Sequence, residues 1–237
     1  MSSQLKGEEK SVYVQDMFGR IAERYNLMNR LMTVGQDQRW RRFVVRKAQI
    51  PDNGVVLDLA TGTGDIAFEA FRAASNVQVI GADFALPMMH VGQRQNNGGD
   101  VQWLGSDAMQ LPFSDDTFDA IMSGYLVRNV SDIGQTLREQ MRTVKPGGRV
   151  VILDSSPPPN NLLRPFIMIH LKYVIPLLGR LISGKSGADA YQYLPQSTQS
   201  FKTPDELAEL MRQAGLKEVA YRMFMFGTIA VHWGIKG

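Results

Sequence analysis

The chain has 237 residues and nearly balanced charges, with 26 Lys and Arg residues against 23 Asp and Glu residues and a formal net charge of +3. It has no cysteine, which excludes disulfides, a thiolate nucleophile and a cysteine-ligated metal, and its three histidines lack the spacing of metal ligands. We therefore expect no metal, and the small diffuse charge predicts no nucleic-acid partner. The length suits a single domain over residues 1–237. A polar start and the lack of a long apolar run predict neither a signal peptide nor a bilayer span, hence a cytoplasmic protein.

A helical arm is predicted for residues 1–50, ahead of an alternating core. It contains the basic run from Arg39 to Arg42, which suits either contact with an anionic membrane surface or a solvated helix face. Both interpretations stay open at this point. A turn over residues 51–54 separates the arm from the first strand.

The core opens with an apolar strand over residues 55–59 that runs into a glycine-rich turn. Gly62 and Gly64 let the backbone turn sharply and approach a ligand closely, which a Cβ atom would obstruct. A dinucleotide-binding enzyme opens in the same way but needs a third glycine, and none follows at the required spacing. The turn therefore favours a cofactor without a pyrophosphate, of which S-adenosylmethionine (SAM) is the obvious candidate. The predicted cofactor contacts are Asp58, Gly62, Thr63, Gly64 and Asp65.

Three further strands are predicted over residues 77–83, 101–104 and 118–125. Because parallel strands end at one edge of a sheet, we expect the residues at their exits to lie close together. A carboxylate at the first exit is placed to accept hydrogen bonds from ribose hydroxyls, and one at the second could receive the adenine amino group. The third exit opens a loop where a substrate could meet the cofactor. The candidates are Asp83 and Phe84 at the end of the first of these strands, Asp107 and Ala108 after the second, and Gly124 at the end of the third.

The rest of the chain continues the alternation of helices and strands. A helix over 138–144, a breaker over 145–148 and a fifth strand over 149–153 complete a doubly wound, mostly parallel α/β sheet with right-handed crossovers. A helix over 201–214 and two antiparallel strands around Gly227 follow. A seven-stranded sheet that is mostly parallel and ends in an antiparallel hairpin is typical of the Rossmann-like class I methyltransferase fold.

A helical insert over residues 160–200 is predicted to form a lid. Its apolar run is punctuated by Arg164, Lys172 and Arg180, and we expect a helix pair broken at Pro176. The pair would lie over the active site or on a membrane surface, and the same pattern also suits a core helix. A lid of this kind predicts an apolar substrate beneath it.

Motifs along nearly the whole chain together resemble the C-methyltransferases of ubiquinone and menaquinone biosynthesis. The glycine turn is shared by many methyltransferases, so other segments carry more of the resemblance. These are the arm segment 18–29, Arg128-Asn129-Val130, the Tyr-x-Tyr-Leu-x-x-Ser pattern of residues 191–197, and residues 227–232 followed by Gly234 and Lys236.

The resemblance implies transfer of the SAM methyl group to a ring carbon of a demethylated polyprenyl quinol, similar to demethylmenaquinol. Arg128 would hold a water molecule or a phenolate through charge-assisted hydrogen bonds, and Asn129 would orient the same oxygen. Tyr25, Tyr191 and Tyr193 would line the slot for the ring, and simple packing would also explain a buried tyrosine. A peripheral membrane contact is implied for so lipophilic a substrate, and the oligomeric state stays open, with a homodimer as one option.

The chain departs from the family pattern at Asn26, Leu126, residues 154–156 and Trp233, all expected close to the substrate. These departures keep open a SAM-dependent methyltransferase of another lipophilic small molecule. A non-catalytic, membrane-associated binding protein is a further alternative, disfavoured by the intact glycine turn and Asp83. A dehydrogenase is a weaker third.

Overall fold

The computed structural model describes residues 7–95, 97–180 and 190–237. The helices are α1 (Gly7–Ile21), α2 (Tyr25–Met32), α3 (Asp37–Ala48), α4 (Asp65–Phe71), α5 (Leu86–Gln93), α6 (Ile133–Thr143), α7 (Arg164–Ile169), α8 (Ala190–Gln199) and α9 (Pro204–Gln213). The strands are β1 (Val55–Leu59), β2 (Gln78–Asp83), β3 (Gln102–Gly105), β4 (Phe118–Gly124), β5 (Val144–Ser155), β6 (Leu216–Phe224) and β7 (Ile229–Lys236).

The seven strands form one sheet in the order β3-β2-β1-β4-β5-β7-β6. Strands β1 to β5 pair in parallel, whereas β7 runs antiparallel to both β5 and β6. This topology confirms the predicted Rossmann-like sheet with its C-terminal hairpin. Because β1 lies between β2 and β4, the strand order reverses there, and the carboxyl ends of β1 and β4 open the crevice in which such sheets bind ligands.

Apolar clusters cover both faces of the sheet. On one face, Trp40 and Val44 of α3 pack with β1 and β4 residues such as Val56 and Met122. On the other face, Leu137 of α6 joins a cluster with residues of α9. Burial on both sides explains why the central strands are continuous apolar runs rather than alternating ones.

The basic run of α3 divides between surface and interior. Arg39 and Arg42 are exposed, but Arg41 is buried. Its guanidinium lies 2.5 Å from the Asp37 carboxylate and 3.2 Å from that of Asp65. For Arg41, both interpretations of the sequence are therefore wrong: it contacts neither a membrane nor water but ties the arm to the start of α4.

The insert does not break at Pro176, contrary to the sequence prediction. After α7, residues His170–Val174 form a π-helical turn in which the Ile175 N–H bonds the His170 carbonyl, and residues 175–180 continue as α-helix. Proline has no N–H to donate to the carbonyl four residues earlier. The wider π-helical turn just before Pro176 lets the helix continue past this missing hydrogen bond. The part of the insert over 181–189 lies outside the described residues.

Strand β5 begins earlier than predicted, because the breaker over 145–148 is part of it. The pairing with β4 shifts register between Phe118 and Ala120, so these residues form an irregularity rather than a separate turn. The Lys145 ammonium fastens this irregularity to Asp119, 2.8 Å away.

Lys236, at the end of β7, reaches the same region. Its Nζ donates to the carbonyl oxygens of Met141 and Val144, at 2.7 and 2.8 Å, and to Asp116. We predict that Lys236→Met lowers the free energy of unfolding by about 1–3 kcal/mol, because buried carbonyl groups lose their donor. Urea denaturation measures this. The exposed Lys217→Met on the same hairpin is the control, and an equal change in both variants would contradict the account.

Candidate active site

The glycine turn after β1 is organised by the buried carboxylate of Asp58. Its Oδ2 accepts hydrogen bonds from the Thr61 hydroxyl at 2.8 Å and the Ala67 N–H at 3.0 Å, which ties the strand end to α4. Burial raises the pKa of Asp58 to about 7, and these hydrogen bonds oppose the shift. Its Oδ1 has no hydrogen-bond partner among the described residues.

Both glycines of the turn adopt left-handed backbone conformations, with φ of +56° at Gly62 and +86° at Gly64. A Cβ atom at Gly64 would lie 2.8 Å from Phe68 and from Trp103, so the site excludes a side chain there as well. The turn thus depends on glycine for conformation and for space.

Asp83, at the end of β2, faces this turn. Its Oδ2 accepts from the Gly62 N–H and its Oδ1 from the Ala85 N–H, both at 2.8 Å. Burial raises the pKa of the carboxyl to about 6, while backbone hydrogen bonds lower it. A carboxylate has about four acceptor positions, more than these backbone hydrogen bonds occupy, so Asp83 can still accept from a ligand hydroxyl.

A small cavity of about 50 Å³ lies beside Asp83. The predicted cofactor residues that line it are Gly62, Asp83, Phe84 and Gly124, joined by Tyr25 and Asn129. A flexible glycine backbone and a carboxylate are groups that suit a ribose, so the residues present fit the nucleoside part of SAM.

The other predicted cofactor residues lie outside the lining of this cavity. Thr63 donates to Asn26 of α2 at 2.7 Å, and Asp65 pairs with Arg41. Asp107 is exposed and accepts from the Met109 N–H at 2.8 Å. The remaining three are Asp58, Gly64 and Ala108.

Helix α1 closes the small cavity, a feature that the sequence analysis missed. Val14 and Phe18 line it, and the Gln15 side chain donates to the Phe84 carbonyl at 2.6 Å. Ligand sites usually measure roughly 300–1,000 Å³, so we expect α1 to shift outward when SAM binds. In the sequence, the helical spacing of the apolar residues Val14, Met17, Phe18 and Ile21 was the pattern that indicated a buried face on this helix.

A second, larger cavity of about 490 Å³ adjoins the first. Its wall is mainly apolar and comes from α2, the insert and the loop between β6 and β7. Tyr25 and Tyr125 line both cavities, so the two spaces meet at this pair. Desolvation raises the pKa of both phenols, which keeps them protonated at neutral pH.

Arg128 lines the large cavity. Its Nη1 donates to the Ser155 hydroxyl at 2.7 Å and lies 3.5 Å from the Asp154 carboxylate, and its guanidinium lies 5.0 Å from the centre of the Tyr125 ring. Its Nε is buried and has no hydrogen-bond partner in the described parts of the chain. A fixed cation in the lining of this cavity is suited to an anionic oxygen.

The side-chain amide of Asn129 is already hydrogen-bonded to the residues around the two cavities. Its Oδ1 accepts from the Tyr193 hydroxyl at 3.0 Å, and its Nδ2 donates to the Tyr125 carbonyl at 2.7 Å. Neither Tyr191 nor Tyr193 lines the large cavity. Tyr191 is fully buried against Gly179, so packing accounts for it, and Tyr25 alone of the three tyrosines reaches the cavity.

The departures from the family pattern do not all lie near the cavities. Leu126 lines the small cavity, and Asp154 pairs with Arg128. Trp233 instead packs on α3, where the Lys47 ammonium lies 3.9 Å from the centre of its ring. Trp233 lines neither of the two cavities.

Fold and site together define a class I SAM-dependent methyltransferase. A family model, the ubiE/COQ5 methyltransferase family, matches residues 5–236. The chain belongs to this family.

Curated relatives match over almost their whole length. The chain is 50% identical over 223 residues to the ubiquinone/menaquinone biosynthesis C-methyltransferase UbiE of Desulfotalea psychrophila, covering 94% of this chain and 90% of the relative. It is 42% identical over 220 residues to the demethylmenaquinone methyltransferase of Thermus thermophilus, covering 92% and 99%.

Solved structures show the same fold at low identity. A SAM-dependent methyltransferase from Aquifex aeolicus aligns with a TM-score of 0.59 at 16% identity, covering 83% of this chain and 89% of that one. The [4+2]-cyclase SpnF aligns with a TM-score of 0.67 at 15% identity, covering 94% of each chain. The fold alone therefore does not determine the reaction.

The pKa of Asp83 predicts how SAM affinity depends on pH. Ribose hydroxyls would donate to the ionised carboxylate, so protonation weakens binding. We predict constant affinity above about pH 7 and a fall that approaches about tenfold per pH unit below the pKa of about 6. Isothermal titration calorimetry measures this.

The control for that titration is Asp83→Asn, which should bind SAM more weakly and lose the dependence around pH 6. Asp58 also titrates in this range, so the variant separates the two carboxyls. Wild-type affinity that stays constant down to about pH 5 would refute the role of Asp83.

Proposed function

We propose that this protein methylates a ring carbon of a demethylated polyprenyl quinol with SAM as the donor. The observation that carries this proposal is the large apolar cavity, which meets the small cavity at Tyr25 and Tyr125 and has the cation of Arg128 in its lining. An apolar slot with few polar groups suits a hydrocarbon ring with phenolic oxygens. The names of the curated relatives, a C-methyltransferase and demethylmenaquinone methyltransferases, support the same acceptor.

Arg128 has the central chemical role in this proposal. When bound, SAM supplies an electrophilic methyl group on its sulfonium. The Arg128 guanidinium stabilises the acceptor as a phenolate, which moves electron density onto the ring carbon that attacks the methyl group. The phenolic proton would pass to solvent, and the bond from sulfur to the methyl group would break as the new bond to carbon forms. The methylated carbon then loses its proton to solvent, the ring regains its aromaticity, and the phenolate takes a proton back, so that one proton is released overall.

The neighbours of Arg128 position it rather than exchange protons. Tyr25 and Tyr125 keep their protons at neutral pH, so neither phenol is the base. Asp154 accepts from the Arg128 backbone N–H at 3.1 Å and balances its charge from a buried position. Asn129 holds the Tyr125 carbonyl, which fixes the wall between the two cavities.

An assay of the purified protein with SAM and a short-tail demethylated naphthoquinol tests this function. We expect methyl transfer to carbon by the wild type. Arg128→Gln should lower kcat by about 10²–10³-fold and leave SAM affinity unchanged, because the lost group acts on the acceptor. Arg138→Gln, at an exposed position on α6, is the control.

Two outcomes of that assay would count against the proposal. If the protein binds SAM but methylates no quinol, a quinol is not its acceptor. If the wild type and Arg128→Gln have equal kcat values, Arg128 does not stabilise the acceptor as proposed.

A peripheral membrane contact is part of the proposal. No helix in the described parts of the chain is both long and apolar enough to cross a membrane. The exposed side chains of Val34, Phe166 and Phe226, at 82%, 71% and 71% exposure, all line the large cavity and so surround its mouth. Val34 and Phe226 also occupy left-handed backbone, an unfavourable conformation for such residues.

The charges around this mouth favour an anionic lipid surface. The three segments that form it, residues 24–36, 155–180 and 219–237, contain Arg and Lys but no Asp or Glu. Arg30, Arg164 and Lys172 are exposed. Apolar side chains surrounded by cations are typical of a face that sits in the headgroup region.

We predict that Val34→Asn with Phe226→Asn lowers binding to vesicles containing phosphatidylglycerol by at least about tenfold. Asparagine tolerates left-handed backbone, so the fold should persist. Co-sedimentation measures the binding, and Val12→Asn, exposed on α1, is the matched control. Unchanged vesicle binding, or a change in molecular mass in solution instead, would contradict a lipid-facing role.

A further inference from the structure

A cleft formed by α3 and the end of α4 lies apart from the candidate active site. It has a volume of about 520 Å³, and its described lining residues line neither of the two cavities of that site. The volume lies within the usual range of ligand sites. Four of the lining residues are arginines, and the whole described lining consists of Arg39, Arg42, Val45, Arg46, Glu69, Arg72 and Ala73. We call this space the arginine cleft.

The positive charge of the arginine cleft is not balanced by its own residues. Glu69 is the one acidic residue in the described lining, and its carboxylate lies 2.6 Å from the Arg72 guanidinium. Within the described parts of the chain, Arg39, Arg42 and Arg46 form no ion pair. Three cations therefore share one concave surface without a counter-charge.

Two other helices show how this chain balances an exposed arginine. In α1, Arg20 lies 3.0 Å from Asp16, and in α9, Arg212 lies 3.1 Å from Glu209. The arginines of the cleft are instead three and four residues apart, at positions 39, 42 and 46, so they are neighbours on one face of α3. Like charges at these spacings destabilise a helix, and an anion bound between them would relieve the repulsion.

Local contacts order these arginines and leave their charge available. The Arg46 guanidinium lies 5.3 Å from the centre of the Phe43 ring. Arg39 and Arg42 each donate one hydrogen bond, at 3.4 Å, to an uncharged oxygen of a glutamine three or four residues earlier. A guanidinium has five N–H donors, so each arginine keeps several for a ligand.

This donor set favours phosphate groups. A guanidinium is a planar fork that binds two phosphate oxygens at once. Arg39 and Arg46 are seven residues apart, about 10 Å along the helix axis, so the charge is spread widely enough for more than one phosphate. The described lining has no aromatic side chain on which a nucleic-acid base could stack, so the phosphates themselves would be the recognised groups.

We propose that the arginine cleft binds a ligand with two or more adjacent phosphate groups, held by Arg39, Arg42 and Arg46. A soluble diphosphate carries such groups, and so do the headgroups of an anionic lipid surface. Helix α3 begins three residues after Val34, at the mouth of the large cavity, so lipid phosphates in the cleft would extend the membrane-facing surface. The inference does not depend on the proposed function, because the cleft shares no described lining residue with the active site.

Isothermal titration calorimetry with pyrophosphate and with orthophosphate, at constant ionic strength, tests the soluble source. We expect the wild type to bind pyrophosphate more tightly than orthophosphate. Arg42→Gln with Arg46→Gln should weaken pyrophosphate binding by at least about tenfold, the scale of lost hydrogen bonds to a charged group. Arg138→Gln with Arg212→Gln removes the same charge from exposed positions on two other helices and should bind like the wild type.

Co-sedimentation of the same variants with vesicles containing phosphatidylglycerol tests the lipid source. Weaker vesicle binding by the cleft variant than by the Arg138 and Arg212 control, without pyrophosphate binding, would assign the phosphates to lipids. Weaker pyrophosphate binding with unchanged vesicle binding would assign them to a soluble ligand. If the cleft variant matches the control in both assays, the proposal is overturned. Methyl transfer to the quinol, measured on the same variants, reports separately on the proposed function.

Discussion

The buried carboxylate of Asp58 is the interaction on which the site depends. It joins the end of β1 to the start of α4 through Thr61 and Ala67 and so fixes the left-handed turn between them. The turn presents the Gly62 N–H to Asp83, and its Thr63 hydroxyl holds Asn26 of α2. One buried carboxyl group therefore aligns two strand ends and anchors the arm that covers them.

The arm in turn creates the division of the site into two spaces. Tyr25 begins α2, one residue before Asn26, and meets Tyr125 where the small cavity beside Asp83 adjoins the large apolar cavity. Arg41 strengthens this arrangement, because it joins α3 to Asp65 at the start of α4. The same contacts that hold the arm in place thus keep the two cavities apart except at one pair of rings, where the proposed function places the methyl transfer.

The sequence predicted the sheet well because its signals are local. Apolar runs, the glycine turn and the C-terminal hairpin each depend on neighbouring residues, and all appear in the structure. The π-helical turn before Pro176 and the irregular start of β5 were missed. Proline and glycine indicate an interruption in a helix or strand, but they do not show which local conformation the chain adopts there. The burial of Arg41 was missed because its partner Asp65 is distant in sequence.

Site residues were harder to predict than the fold. Asp83 and Arg128 could be named from strand ends and motifs, and both line cavities. Tyr125 could not, because it matters through its position in the lining of both cavities, and periodicity alone does not show this. Tyr191 and Tyr193 carry a specific motif, but one packs in the core and the other supports Asn129.

The most direct test of this account is a crystal structure with S-adenosylhomocysteine and a short-tail demethylated naphthoquinol. The account predicts the nucleoside beside Gly62 and Asp83, with α1 displaced, and the ring in the large cavity against Tyr125 and Arg128. A ring bound elsewhere, such as the separate cavity beside Lys10 and Tyr193, would contradict the claim that donor and acceptor meet at the Tyr25 and Tyr125 pair.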